Sequence, residues 1–350
     1  MIRSSVAALK PYVPGEQPKL KRIVKLNANE NAYPPSPKIA EALASFDLNR
    51  LRLYPDSESR HLRNLLARRY GCKSENVFVG NGSDEVLRLA TDVFVRNAAH
   101  IGIFDPTYSL YPVLADIREA PLDVFPLPPD DAALAACTLP DPKPDLFFLV
   151  NPNAPTGTIF GLEAIRAFAR SLAPSILLID ETYTLFAGTD CMRLAFEEPN
   201  VLISRTFSKA WSLAGLRVGI LIGPEPLVDC LFKVKDSYNV DALAQMIAET
   251  ALSDPQWMEE NCRKILATRD RFSAELVQRG WKVTPSHTNF IWCVPPPPLT
   301  ARAVLEKLRN FGILVRHFSQ PKIDRFLRIT VGTDAQMDEI LSHLQPPPET

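Results

Sequence analysis

Short apolar runs alternate with amphipathic stretches through the first two-thirds of the chain. The runs are Val77–Val79, His100–Phe104, Leu122–Phe125, Leu146–Val150, Ile176–Ile179, Val201–Ser204 and Val218–Ile222. Most lack any polar alternation, which predicts strands covered on both faces. Between them, stretches such as Asp84–Val95 and Leu162–Leu172 place apolar residues at helical spacing. Strands and helices in alternation predict an α/β fold with a mostly parallel sheet flanked by helices. After about Asp236 the pattern changes. A long helical segment from Ala242 to about Arg279 precedes short strands at Trp281–Val283, Thr288–Val294, Ile313–Arg316 and Phe326–Val331, with a helix near Thr300–Phe311. That order predicts a smaller α+β domain. Residues 1–25, broken by prolines, read as an extended arm.

Composition narrows the function classes. The 350 residues carry 39 Lys+Arg against 40 Asp+Glu, and 46% are hydrophobic, so the chain has material for a core and no net positive field for nucleic acid. The basic cluster Arg60, Arg63, Arg68 and Arg69 sits at helical spacing and reads as a solvated helix face. Six scattered cysteines form no C-x-x-C pair, and the histidines show no paired-ligand spacing, so neither a structural metal nor a disulfide framework is expected. No apolar run is long enough to cross a bilayer, and the first residues lack a signal-peptide core. A cytoplasmic protein is expected.

Candidate chemistry collects at strand ends, where open α/β sheets hold their ligands. Val77–Val79 is followed by Gly80-Asn-Gly-Ser-Asp84 and a helix, a turn whose exposed N–H groups suit an anion. Taken alone, it reads more readily as an ordinary capped turn. Leu146–Val150 runs into Asn151-Pro-Asn-Ala-Pro-Thr-Gly157, a rigid loop that aims Asn151 and Asn153. Ile176–Ile179 ends in Asp180, where burying a lone carboxylate costs on the order of several kcal/mol unless a positive group meets it. Val201–Ser204 leads to Ser208-Lys209, with Arg217 eight residues on. A lone lysine after a strand is usually on the surface. In company with the other three clusters it describes a phosphate site, a partner for a protonated heteroaromatic nitrogen and an amine for an aldehyde, the requirements of pyridoxal phosphate.

The chain resembles the fold-type-I pyridoxal-phosphate aminotransferases, and within them the histidinol-phosphate aminotransferases. The likeness runs through Pro11-Tyr-Val-Pro-Gly15, Leu26-Asn-Ala-Asn-Glu-Asn31, Tyr54-Pro, Gly80–Glu85, Pro106-Thr-Tyr, Asn151–Gly157, Asp180–Tyr183, Ser208 to Arg217, Val315-Arg316 and Phe326–Gly332. The resemblance implies an arm at 1–25, a small domain from 26–45 and 246–350, and a large cofactor-binding domain at 46–245. Lys209 would carry the cofactor as a Schiff base and act as acid and base in the 1,3-proton shift. Asp180 would hold the pyridinium proton, Tyr183 and Asn153 would bond the phenolate oxygen, and Tyr108 would stack on the ring. Gly82, Ser83, Asp84, Thr206, Ser208 and Arg217 would hold the cofactor phosphate, joined by Tyr54 from the partner subunit of a homodimer. Tyr12, Asn29, Glu30, Arg316 and Arg328 would meet the substrate.

The chain departs from the family pattern at Ala154 and in Thr182-Tyr183-Thr184-Leu185-Phe186, which replaces the commoner Ala-Tyr-Val/Ile-acid-Phe. Ala154 replaces the usual Asn and is expected to be silent, whereas Leu185 replaces an acidic residue and is expected to alter the pocket wall. The implied reaction joins histidinol phosphate and 2-oxoglutarate. A threonine-phosphate decarboxylase and an aminotransferase for aromatic amino acids share the same machinery and stay open as alternatives. A non-catalytic regulatory domain that binds the cofactor would accompany a basic DNA-binding extension. These 350 residues hold none, and Lys209 is intact.

Overall fold

The computed structural model describes residues 2, 4–9 and 23–344. Its strands, in chain order, are β1 (Val24–Lys25), β2 (Val77–Gly80), β3 (Ile101–Asp105), β4 (Leu122–Pro126), β5 (Leu146–Val150), β6 (Ile176–Asp180), β7 (Val201–Thr206) and β8 (Gly219–Ile222), followed by β9 (Lys282–Thr284), β10 (Phe290–Val294), β11 (Ile313–Leu314), β12 (Arg316–His317) and β13 (Leu327–Thr330). Seven of them form one sheet in the order β2-β8-β7-β6-β5-β3-β4. The pairs from β7 through β4 are parallel, and β8 runs antiparallel to both neighbours. Every residue of β2, β5, β7 and β8 is buried, as wholly apolar runs require when helices cover both faces. β4 departs from that expectation. It is the sheet edge, so Val124 is exposed.

The reversed direction of β8 positions the site. The parallel strands present their carboxyl ends at one rim, whereas β8 presents its start there. Arg217, just ahead of β8, therefore reaches the same rim as Thr206 at the end of β7, which pairs with Gly219.

Four strands, β12-β13-β10-β9, form an antiparallel sheet, and β1 pairs with β11 in a parallel two-stranded one. The strand expected at Ile313–Arg316 is thus two short strands in different sheets. The single long helix expected from Ala242 is two helices, Ala242–Leu252 and Pro255–Gln278. Pro255 has no N–H to continue the first helix but suits the first turn of the second. Ser4–Ala8 is helical rather than extended.

The basic helix Arg60–Tyr70 is not uniformly solvated. Arg63 is buried, donates to the carbonyls of Ser74 and Val77, and lies over the Phe232 ring at 4.5 Å. All six cysteines are free thiols, and no helix among the described residues is long and apolar enough to cross a membrane.

Candidate active site

The carboxyl ends of β3, β5, β6 and β7 open into a cavity of about 700 Å³, closed on its far side by residues of β12, β13 and the segment between them. Asp180, the last residue of β6, forms its floor and is 3% exposed. Its Oδ2 accepts from the Tyr111 hydroxyl at 2.9 Å, and its Oδ1 accepts from the Thr182 hydroxyl at 2.6 Å and amide at 3.1 Å. Burial pushes the carboxyl above the ordinary range, and the Thr182 and Tyr111 donors pull it partly back. A positive group at this floor would complete the compensation.

β7 ends at Thr206, and the chain then turns through Phe207, which is anchored in the core against Trp211. The Thr206 hydroxyl accepts from the Ser208 amide at 3.1 Å and donates to the Ser208 hydroxyl at 3.0 Å. This turn projects Lys209 into the cavity, where Nζ donates to the Ala28 carbonyl at 3.1 Å. Burial strips the ammonium of water, and Arg328 and Arg217 add repulsion, so its pKa falls to about 8. The amine therefore loses its proton at lower pH than an ordinary lysine.

An anion cup lies between β2 and β8. The helix Gly82–Phe94 begins there, and the buried Ser83 hydroxyl has no hydrogen-bond partner among the described residues. Arg217 Nη2 donates to Asp84 at 3.2 Å. Gly82 has φ +80°, and a Cβ on it would strike the Arg217 guanidinium. A Cβ on Gly219 would fall 2.5 Å from the Ser83 nitrogen. Both glycines are therefore needed for the arginine to approach the helix start. An unmet hydroxyl, a helix N-terminus and a guanidinium fit a phosphate, a buried carboxylate fits a ring nitrogen, and Lys209 fits an aldehyde. Pyridoxal phosphate has these three features together.

Most residues singled out from the sequence meet on this cavity. Ser83, Asp84, Tyr108, Thr206, Ser208 and Arg217 line one end, Asp180, Tyr183, Lys209 and Asn29 the middle, and Arg316 and Arg328 the far wall. Asn29, with φ 54°, donates from Nδ2 to the Tyr183 hydroxyl at 2.8 Å and so sets its orientation. The Tyr108 hydroxyl donates to Asp84 at 3.3 Å. Other candidates lie off the wall. The Asn153 side chain donates to Pro106 and Thr156, which braces the loop. Glu30 pairs with Lys25 at 2.6 Å. Tyr54 is 79% exposed and stacks on Tyr238 at 4.3 Å. Tyr12 lies outside the described residues.

The departures at Leu185 and Ala154 differ in their relation to the cavity. Leu185 packs against the core away from the cavity, so its loss of charge leaves the wall unchanged, whereas buried Ala154 is on the wall. Sequence reasoning missed Tyr111, whose place in an amphipathic helix reads as simple core packing. Thr182 stands out in the sequence only as a departure from the family's alanine, although its position two residues after Asp180 is a recognisable signal for a local side-chain bond. Beneath the floor, Arg205 and Glu181 form an ion pair at 2.6 Å, with side chains 6% and 0% exposed, and Asp190 adds a second contact at 2.8 Å.

The family model for class I and II aminotransferases matches residues 21–344. The chain is 41% identical to a histidinol-phosphate aminotransferase of Syntrophus aciditrophicus, over 99% of this chain and 97% of that protein. It is 42% identical to histidinol-phosphate aminotransferase 2 of Thiobacillus denitrificans, over 97% and 96%. Among solved structures it is similar to the histidinol-phosphate aminotransferase of Sinorhizobium meliloti in complex with pyridoxal-5'-phosphate, with a TM-score of 0.87 at 27% identity, covering 97% of this chain and 95% of that one.

Proposed function

This chain belongs to the class I and II aminotransferase family, and on that premise we propose that it passes the amino group of histidinol phosphate to 2-oxoglutarate, giving imidazole-acetol phosphate and glutamate in histidine biosynthesis. It is a pyridoxal-phosphate-dependent aminotransferase acting on small molecules. One observation carries the choice of substrate. Arg316 and Arg328 are directly opposed partners on β12 and β13, and both line the cavity. Like charges at opposed positions repel, and an anion between them turns that cost into binding. Histidinol phosphate has no carboxylate and glutamate no phosphate, so one wall must accept both anions in turn.

When bound, the cofactor supplies the carbonyl that receives the amino group and the ring that delocalises the resulting charge. The protein does the rest. Asp180 holds a proton at the ring nitrogen. Lys209 Nζ would take the proton from the substrate carbon that bears the nitrogen and return one to the carbon on the other side of that nitrogen, a task its lowered pKa suits. The Ser83, Thr206 and Ser208 hydroxyls and Arg217 hold the phosphate. Tyr183, oriented by Asn29, donates to the ring oxygen.

The reading includes a homodimer in which Tyr54 reaches the cofactor phosphate of the other subunit. Its exposure beside exposed Leu48, Leu51 and Leu53 supports a covered surface there. Six free thiols support a reducing, cytoplasmic setting.

Measuring the two half-reactions separately tests the substrate. Arg328→Ala should impair both, and Arg316→Ala should lower kcat/KM for histidinol phosphate about tenfold to a hundredfold more than for glutamate. Equal losses with a lowered Tm would make Arg316 a structural residue and reopen the substrate.

A further inference from the structure

The segment between β12 and β13 is held in shape by one indole. Phe326 stacks on Trp292 at 4.6 Å, and Phe318 meets the same ring edge-on at 5.4 Å. Between these anchors the backbone turns twice, with the Ile323 amide donating to Gln320 at 3.0 Å and the Phe326 amide to Ile323 at 3.1 Å. His317 Nε2 lies 2.6 Å from the Asp324 carbonyl and ties the turn to β12. The result places Gln320, Pro321, Lys322 and Ile323 on the cavity wall that also carries Arg316 and Arg328. Phe318 lies under both guanidinium groups, at 5.6 and 5.5 Å, so the anchored segment and the two arginines are one packed unit.

We propose that Lys322 is a specificity-determining contact, a third positive charge that favours a substrate carrying a phosphate monoester. The inference rests on the substrate reading above and goes one residue beyond it. Among the described residues, the cavity wall carries five cations, Lys209, Arg217, Arg316, Lys322 and Arg328, against the carboxylates Asp84, Asp105 and Asp180. Lys209, Arg217 and Asp180 serve the cofactor, and Asp84 already pairs with Arg217. Arg316, Arg328 and Lys322 face the substrate end, where Asp105 is the one further carboxylate among the described residues. Lys322 has no ion-pair partner among the described residues, although it is exposed and acids stand close in sequence. A phosphate monoester concentrates close to two negative charges on one group near neutral pH. Glutamate spreads the same charge over two separated carboxylates, so a third cation at one point acts more strongly on the phosphate. A lysine suits this place, because a point charge on a flexible stem can reach over the mouth without demanding a planar, two-pronged fit.

The test uses the full-length holoenzyme and its Lys322→Gln, Lys322→Glu and Lys322→Arg variants, with each half-reaction followed alone at low and high salt. In Lys322→Gln, kcat/KM for histidinol phosphate should fall about three- to tenfold, mostly through KM, with a several-fold smaller change for glutamate. Lys322→Glu should fall further, and Lys322→Arg should retain most of the activity. The difference from the parent should shrink at about 0.5 M salt, since an exposed charge is screened there. Inhibition of the glutamate half-reaction by inorganic phosphate should weaken in parallel. Equal changes in both half-reactions, or none, in a parent enzyme that uses histidinol phosphate would overturn the role of Lys322. If the parent does not turn over histidinol phosphate, the substrate reading fails. Phosphate inhibition then decides Lys322 by itself: unchanged inhibition in Lys322→Gln removes it as an anion contact.

Discussion

The Tyr111 hydroxyl donates to Asp180 Oδ2 at 2.9 Å, from a ring that is fully buried and stacked on Phe148 at 4.5 Å with 5° between the planes. The phenol is therefore rigid, and it meets the one floor carboxylate from the side opposite the Thr182 donors. A donor to the charged form favours that form, so Tyr111 stabilises ionised Asp180 against the cost of its burial.

Tyr111→Phe should keep the stack and lose the donor. Affinity for pyridoxal phosphate should fall about three- to tenfold, as befits one bond to a charged acceptor. The direction with pH follows from the raised carboxyl. Holding a protonated ring nitrogen needs ionised Asp180, so affinity is present above its pKa and is lost as pH falls through it. Without the Tyr111 donor that pKa rises further, and the loss should begin at higher pH. Equilibrium dialysis of cofactor against pH measures this, and superimposable profiles would remove Tyr111 from the site.

Lys209 should titrate as an unusual amine. In the cofactor-free protein its reaction with pyridoxal phosphate should rise with pH around a midpoint of about 8, because only the neutral amine attacks. Borohydride reduction and peptide mapping should place the label on Lys209. A midpoint near that of an ordinary lysine, or label elsewhere, contradicts the assignment.

The ion pair under the floor predicts an asymmetry in stability. Arg205→Met leaves Glu181 buried without its main counter-charge and should cost about 3–5 kcal/mol in denaturant unfolding. Glu181→Gln should cost less, because Arg205 keeps Asp190 at 2.8 Å. Combining Arg205→Met with Glu181→Gln should recover part of the first loss. Equal effects of the two single changes would show that the pair is not the source of the stability.

Complementation tests the shared site. Neither Tyr54→Phe nor Lys209→Ala should support full turnover alone. Mixed dimers of the two chains should regain one site intact at both positions, to a fraction of parent activity set by the share of mixed dimers. No recovery on mixing would place Tyr54 outside the partner's site.

The alternation of apolar runs and helical stretches determined the α/β class and the strand positions, because hydrophobic periodicity is a local property that survives without knowledge of the neighbours. Leu162–Leu172 forms the helix its spacing predicts, and β5 the strand. Lys209, Asp180, Ser83 and Arg217 were legible for a related reason: each stands at a strand end among small or rigid residues whose backbone roles are local. Tertiary structure decided what depends on distant partners. Periodicity could not show that β8 is reversed, and only that reversal puts Arg217 at the rim with Thr206. Nor could it show that Arg63 turns inward to meet the carbonyls of Ser74 and Val77. Tyr111 lies 69 positions before its acceptor, and Lys322 reaches the cavity only because Phe318 and Phe326 find the same indole. Hydrogen bonds and ring contacts of this kind act over a few ångströms in space while leaving no period along the chain, which is why folding alone assigned them.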